Sequence, residues 1–226
     1  MASSLSGGAG NDLVIPDEAP VAIAAPSEAT GGVAVVDVLD TASDINLAVG
    51  GEAPVKVEGS TVKDSVVRPV AAAGETAEII FETKKLDSVT IVNEGEGAVA
   101  VEVEKGTFKK STIDLSTGTA KDSIAFGGDT KLVKNDILLG AGKDTVTFSE
   151  GIKLKGDTKI KVGDGRDVIK VPDEVKGGGQ LLISNFSTKD RLVVDGKKVS
   201  GNKLYKGKKD APDFIAIQFE DGTVIG

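Results

Sequence analysis

The sequence predicts an all-β chain whose C-terminal half winds as a parallel β-solenoid. Three observations carry this. Val- and Ile-rich blocks of four to six residues (33–38, 45–49, 77–81, 89–92, 98–103, 112–115) are separated by Gly, Asp, Asn or Pro. No segment carries a helical stripe with a cap at each end. The second half also repeats itself every 22–23 residues.

Taken in order, residues 1–30 are rich in Ala, Pro, Ser and Gly without a sustained period, and read as an extended or flexible arm. Residues 31–110 read as an acidic β-rich domain, either a β-sandwich or further β coils. Residues 111–196 hold the repeat, in four aligned stretches. These are IDLSTGTAKDSIAF (113–126), ILLGAGKDTVTF (137–148), IKVGDGRDVIKV (160–171) and ISNFSTKDRLVV (183–194). Their marker aspartates Asp122, Asp144, Asp167 and Asp190 lie 22, 23 and 23 residues apart. A weaker echo lies upstream at Lys63-Asp64-Ser65 and Leu86-Asp87-Ser88.

Each unit reads as strand, turn with a basic–Asp pair, strand, and a Gly- or Lys-rich return. One coil cannot satisfy its own apolar residues or backbone, and stacking on the next completes both. Stacked coils are about 4.8 Å apart, so like residues should stand in columns. The expected inward positions are Ile124 and Phe126, Val146 and Phe148, Val168 or Ile169 with Val171, and Leu192 with Val194. Residues 197–226 read as a C-terminal β cap. Its lysines (197, 198, 203, 206, 208, 209) would discourage further strand pairing at the solenoid's end.

Composition narrows the chemistry. The 226 residues contain no His, Cys or Trp, which leaves no His/Cys zinc site, no Ser-His-Asp triad, no cysteine nucleophile and no disulfide. With net charge −8 and 4% aromatic residues, the chain lacks the basic surface and stacking platforms of a nucleic-acid binder. No apolar run approaches the ~18–20 residues of a membrane helix, so membrane insertion is not expected. The start, MASSLSGG, shows no Sec-type signal peptide. Charge is uneven: residues 1–100 carry 16 acidic and 5 basic side chains, net −11, and residues 101–226 carry 19 and 22, net +3. Asp173 and Glu174 read as solvated loop carboxylates, and Gly163-Asp-Gly-Arg lacks the Lys-Ser/Thr of a phosphate loop.

The turns resemble those of RTX (haemolysin-type calcium-binding) proteins. Gly7-Gly-Ala-Gly-Asn-Asp12-Leu-Val-Ile15 matches the nonapeptide G-G-x-G-x-D-x-U-x, and Gly140-Ala-Gly142-Lys-Asp144 and Gly163-Asp-Gly165-Arg-Asp167 match its core. The segments 183–196 and 219–224 are similar to those that close such arrays. The resemblance implies an RTX-like β-roll or β-helix and calcium as the cofactor. Gly140, Gly142, Gly163 and Gly165 would form tight turns with φ > 0. Their carbonyls would build an oxygen cage with Asp122, Asp144 and Asp167, and Asp12 would serve a separate site.

The chain departs from the family in having one turn per 22–23 residues, where RTX arrays have two per coil of about 18 residues. A base also precedes each marker aspartate. The expectation is that Lys121, Lys143, Arg166 and Lys189 pair with the aspartates, Asp190 included, and partly replace calcium.

The function these readings imply is a non-catalytic structural protein of an extracellular, cell-surface or virion assembly. Its partners would be copies of itself or other subunits. A bacteriophage decoration or tail protein is the close alternative, and an accessory module of a polysaccharide-active enzyme the remoter one.

Overall fold

Apolar side chains at every second position need an interior, and a strand of three or four residues cannot supply one alone. Here the interior forms between two stacks of parallel strands. A computed structural model describes residues 54–195 in full. Outside them it describes only the strand backbone at Ser3–Ser6, Leu13–Ile15, Val21–Ala24, Ala34–Ser43, Asn46–Val49, Val199–Tyr205, Phe214–Phe219 and Val224–Ile225. Asp12, the other 1–30 residues between those strands and the side chains of the cap's lysines lie outside what is described.

The described chain is all-β and winds as a parallel solenoid. Each coil places one short strand in the first sheet and one strand in the second, which is the longer of the two in all but the last two coils. After Val55–Lys63, six coils follow. The first three are Val66–Pro69 with Thr76–Asp87, Thr90–Val92 with Ala98–Lys109, and Thr112–Asp114 with Ser123–Val133. The others are Asp136–Leu138 with Thr145–Phe148, Thr158–Lys161 with Val168–Val171, and Leu181–Ser184 with Arg191–Val194. Both sheets pass residue 110 without a break: Ala98–Lys109 pairs with Thr76–Asp87 and Ser123–Val133 in one, and Thr112–Asp114 pairs with Thr90–Val92 and Asp136–Leu138 in the other. Of the two alternatives for the N-terminal half, the structure therefore has coils. Strand backbone earlier in the chain continues the same two stacks, and a separate three-stranded antiparallel sheet follows residue 199.

The register stacks like on like. One column runs Val55, Ile79, Val101, Ile124, Val146, Ile169 and Leu192. Val57, Phe81, Val103, Phe126 and Phe148 stand beside it, with Val171 and Val194 paired below. The short strands contribute Val67, Ile91, Ile113, Ile137, Ile160 and Ile183. The Phe126 and Phe148 rings stack at 5.3 Å and 12°. Ile169, not Val168, takes the inward position of its coil. Leu192, near the end of the stack, is only partly buried.

One corner, where each longer strand hands over to the next short one, turns through a left-handed residue. Asp64, Ser88, Lys110 and Lys134 have φ of 47–58° there. This corrects the upstream echo. Asp87 pairs in register with Lys63, so Asp64 is equivalent to Ser88, and neither aspartate belongs with Asp122. The coil spacing explains the slip: Val55 to Ile79 is one residue longer than the 23 that separates Asp64 from Asp87.

Candidate functional site: the aspartate corner

The opposite corner joins each short strand to the next longer one, and it holds the four marker aspartates in file. Asp122, Asp144, Asp167 and Asp190 each sit one residue before a longer-sheet strand and turn inward. Their exposures are 1%, 0%, 1% and 8%. Each carboxylate reaches back one coil. Val99 N donates to Asp122 Oδ1 at 2.7 Å, and the N–H groups of Asp122, Asp144 and Asp167 donate to Oδ1 of Asp144, Asp167 and Asp190, each at 2.9 Å. The bond pattern is directional, because every aspartate accepts from the coil before it, and Asp122, Asp144 and Asp167 donate to the coil after.

The last rung differs. Asp190 Oδ2 accepts from Ser187 N at 2.6 Å, and Asp190 N donates to Ser187 O at 3.2 Å, so this residue closes on its own turn. The Oδ2 atoms of Asp122, Asp144 and Asp167 have no hydrogen-bond partner, and less than 1 Å² of each is accessible. Burial raises the pKa of all three, and that of Asp144 reaches about 6. For Asp144 the backbone N–H of Asp122 pulls the other way, and the neighbouring carboxylates of Asp122 and Asp167 add to the rise.

The glycines of these turns are required by proximity. A Cβ on Gly163 would stand 1.6 Å from Gly140 O, and one on Gly165 would stand 1.8 Å from Gly142 O. The turns therefore stack backbone on backbone, and 141–142 and 164–165 pair as a short parallel ladder. Of the four candidate glycines only Gly165 has positive φ, at 150°. The expectation that all four turn through φ > 0 is corrected accordingly.

The basic residues take the other side. Lys121, Lys143, Arg166 and Lys189 are exposed, and none of the ion pairs among the described residues joins one of them to a ladder aspartate. The reason is alternation: in extended backbone, adjacent side chains point to opposite faces, so a base next to an inward aspartate faces solvent. The expected salt-bridged corner is replaced by one whose carboxylates bind backbone N–H.

A calcium ion needs six to eight oxygens around an open centre. The residues present do not fit one. Gly118 O and Gly142 O accept from Ala141 N and Arg166 N of the following coil, each Oδ1 is already held, and the unpartnered Oδ2 atoms are closed to solvent. Among the described residues no group of three or more Asp or Glu side chains is placed to hold a metal ion.

Sequence reasoning missed the polar column at the left-handed corner. Val89 N donates to Ser111 Oγ at 3.0 Å and Ser111 N to Asn135 Oδ1 at 3.1 Å, while Asn135 Nδ2 donates to Phe108 O at 2.9 Å. Ser111 and Asn135 are 1% exposed. The signal was a small polar residue just ahead of some short strands (Ser65, Ser111, Asn135), which varies in type and gives way to Val89 before another, and so forms no motif.

No family model matches the chain. No curated protein and no solved structure matches it either.

Proposed function

We propose that this chain is a non-catalytic structural protein, a solenoid building block of an extracellular, cell-surface or virion assembly. The observation that supports this reading is where the polar chemistry goes. The buried Asp122, Asp144, Asp167, Asp190, Ser111 and Asn135 all bond the backbone of a neighbouring coil. They serve coil-to-coil stacking, as expected of a scaffold whose product is its own stiffness.

Such a stack ends in coils with unpaired strand edges, and an edge is a surface on which another copy or subunit adds. The opposed charges of residues 1–100 and 101–226, net −11 and +3, favour head-to-tail contact, a heterologous arrangement that closes into rings or runs on as layers. The partners are then copies of this chain or other subunits of the same assembly. The likeness to RTX proteins enters this reading as a likeness of turn sequence.

Sedimentation velocity of the full chain tests it. Species larger than the monomer should grow with protein concentration at about 0.05 M salt and recede at about 0.5 M, where the Debye length shrinks to a few ångströms. A monomer at every concentration and salt would contradict self-assembly.

A further inference from the structure

We infer that the aspartate corner is a metal-independent fastener, a side-chain-to-backbone ladder that does between coils what calcium does in the turns this sequence resembles. Four observations converge on it. Each Oδ1 accepts an N–H from the preceding coil at 2.7–2.9 Å, so three successive coil interfaces and the step to Val99 are all closed by the same bond. Two of the turn carbonyls, Gly118 O and Gly142 O, are held by the next coil's N–H groups at Ala141 and Arg166. The second oxygens of Asp122, Asp144 and Asp167 are closed to solvent and carry no hydrogen bond. The array also has a finished end, since Asp190 directs its second oxygen to Ser187 N within its own turn.

The fifth and independent observation lies at the opposite corner. There Ser111 and Asn135 make the same kind of bond with neutral side chains: the backbone N–H of one coil donates to the side-chain oxygen of the next, at 3.0 and 3.1 Å. One coil thus carries two fasteners of one design, and the second works with no acid and no ion. What the position requires is a buried acceptor of the right reach. Carboxylate charge is incidental to it, and because Oδ2 gains nothing from being charged, an amide should replace the carboxylate. This inference concerns how coils are joined and holds whether or not copies assemble.

The experiment compares thermal melting of the full chain and of its Asp144→Asn and Asp144→Ala variants, each with millimolar calcium chloride and with chelator. The wild type should melt at the same temperature in both conditions. The Asn variant should melt at or above the wild type at neutral pH. The Ala variant leaves the buried Asp122 N–H unpaired and should melt lower by about 5 °C or more. If it does not fold, Asp167→Asn serves as the second amide test. Calcium raising the melting temperature of the wild type, or the Asn variants falling as far as Ala, would overturn the inference. Sedimentation of the same samples reads assembly separately, so either idea can fail alone.

Discussion

Asp144 shows how far a single residue is determined by its surroundings. It is fully buried, carries one backbone N–H on Oδ1 and nothing on Oδ2, and its pKa is pushed up to about 6, chiefly because burial disfavours the charged form. A carboxyl whose pKa is higher folded than unfolded binds more protons in the native state. Stability contributed this way is present below about pH 4 and is lost as pH rises towards 6. Glu82 works in the opposite sense, held down to about 2 mainly by its hydrogen bond to Lys56, and Asp87 is lowered by Lys85. Stability from those two is lost as pH falls below about 4. The melting temperature should therefore peak in mildly acidic solution, near pH 4–5, and Asp144→Asn should flatten the decline between pH 5 and 7. A melting curve series from pH 3 to 8 checks this. A wild-type profile that rises steadily to pH 7 would contradict it.

The glycines give a second test at this scale. Gly163→Ala forces a Cβ into Gly140 O and should cost about 4 kcal/mol or more, whereas Gly178→Ala, with nothing within 4 Å of the new atom, should be near neutral. Urea unfolding of the two variants separates close approach from general flexibility.

At the scale of the element, a strand of three or four residues persists only because its column does. Phe126 is fully buried between Phe108, at 5.9 Å, and Phe148, at 5.3 Å, so truncation to Ala removes the middle of a three-ring cluster. Phe126→Ala should destabilise the fold by about 3–5 kcal/mol. Urea unfolding reads that loss directly, and a value under about 1 kcal/mol would show that the column does not govern stability.

The same logic explains what could be read in the sequence. The last four coils are legible because a buried aspartate recurs at one position. Upstream, the equivalents of Asp122 are Val99 and Ala77, which are buried and apolar, so the signature vanishes while the coil goes on. Residues 31–110 could thus be read as β-rich without their winding being evident. The pairing of Lys121, Lys143, Arg166 and Lys189 with the aspartates was misread because adjacency in sequence looks like contact, and in a strand it means opposite faces. The resemblance to calcium turns rests on glycine and aspartate spacing. Here those glycines are demanded by coil-on-coil approach, a constraint that sequence alone does not separate from ion binding.

At the scale of the molecule, everything depends on one register: within residues 54–195, residues 22–24 apart stand one above another, coil after coil. The proposed assembly, the pH response and the metal-free corner all follow from that stacking. The chain has no native cysteine, so the register can be probed by paired cysteines without interference. Ser123, Thr145 and Val168 are successive partners in one outer column. Neighbours there lie about 4.8 Å apart, within disulfide reach, and alternate members about 9.6 Å apart, beyond it. Under mild oxidation the Ser123→Cys/Thr145→Cys chain should form an internal disulfide in high yield, and the Ser123→Cys/Val168→Cys chain should not. Cross-linking of the second pair, or equal failure of both, would contradict the solenoid.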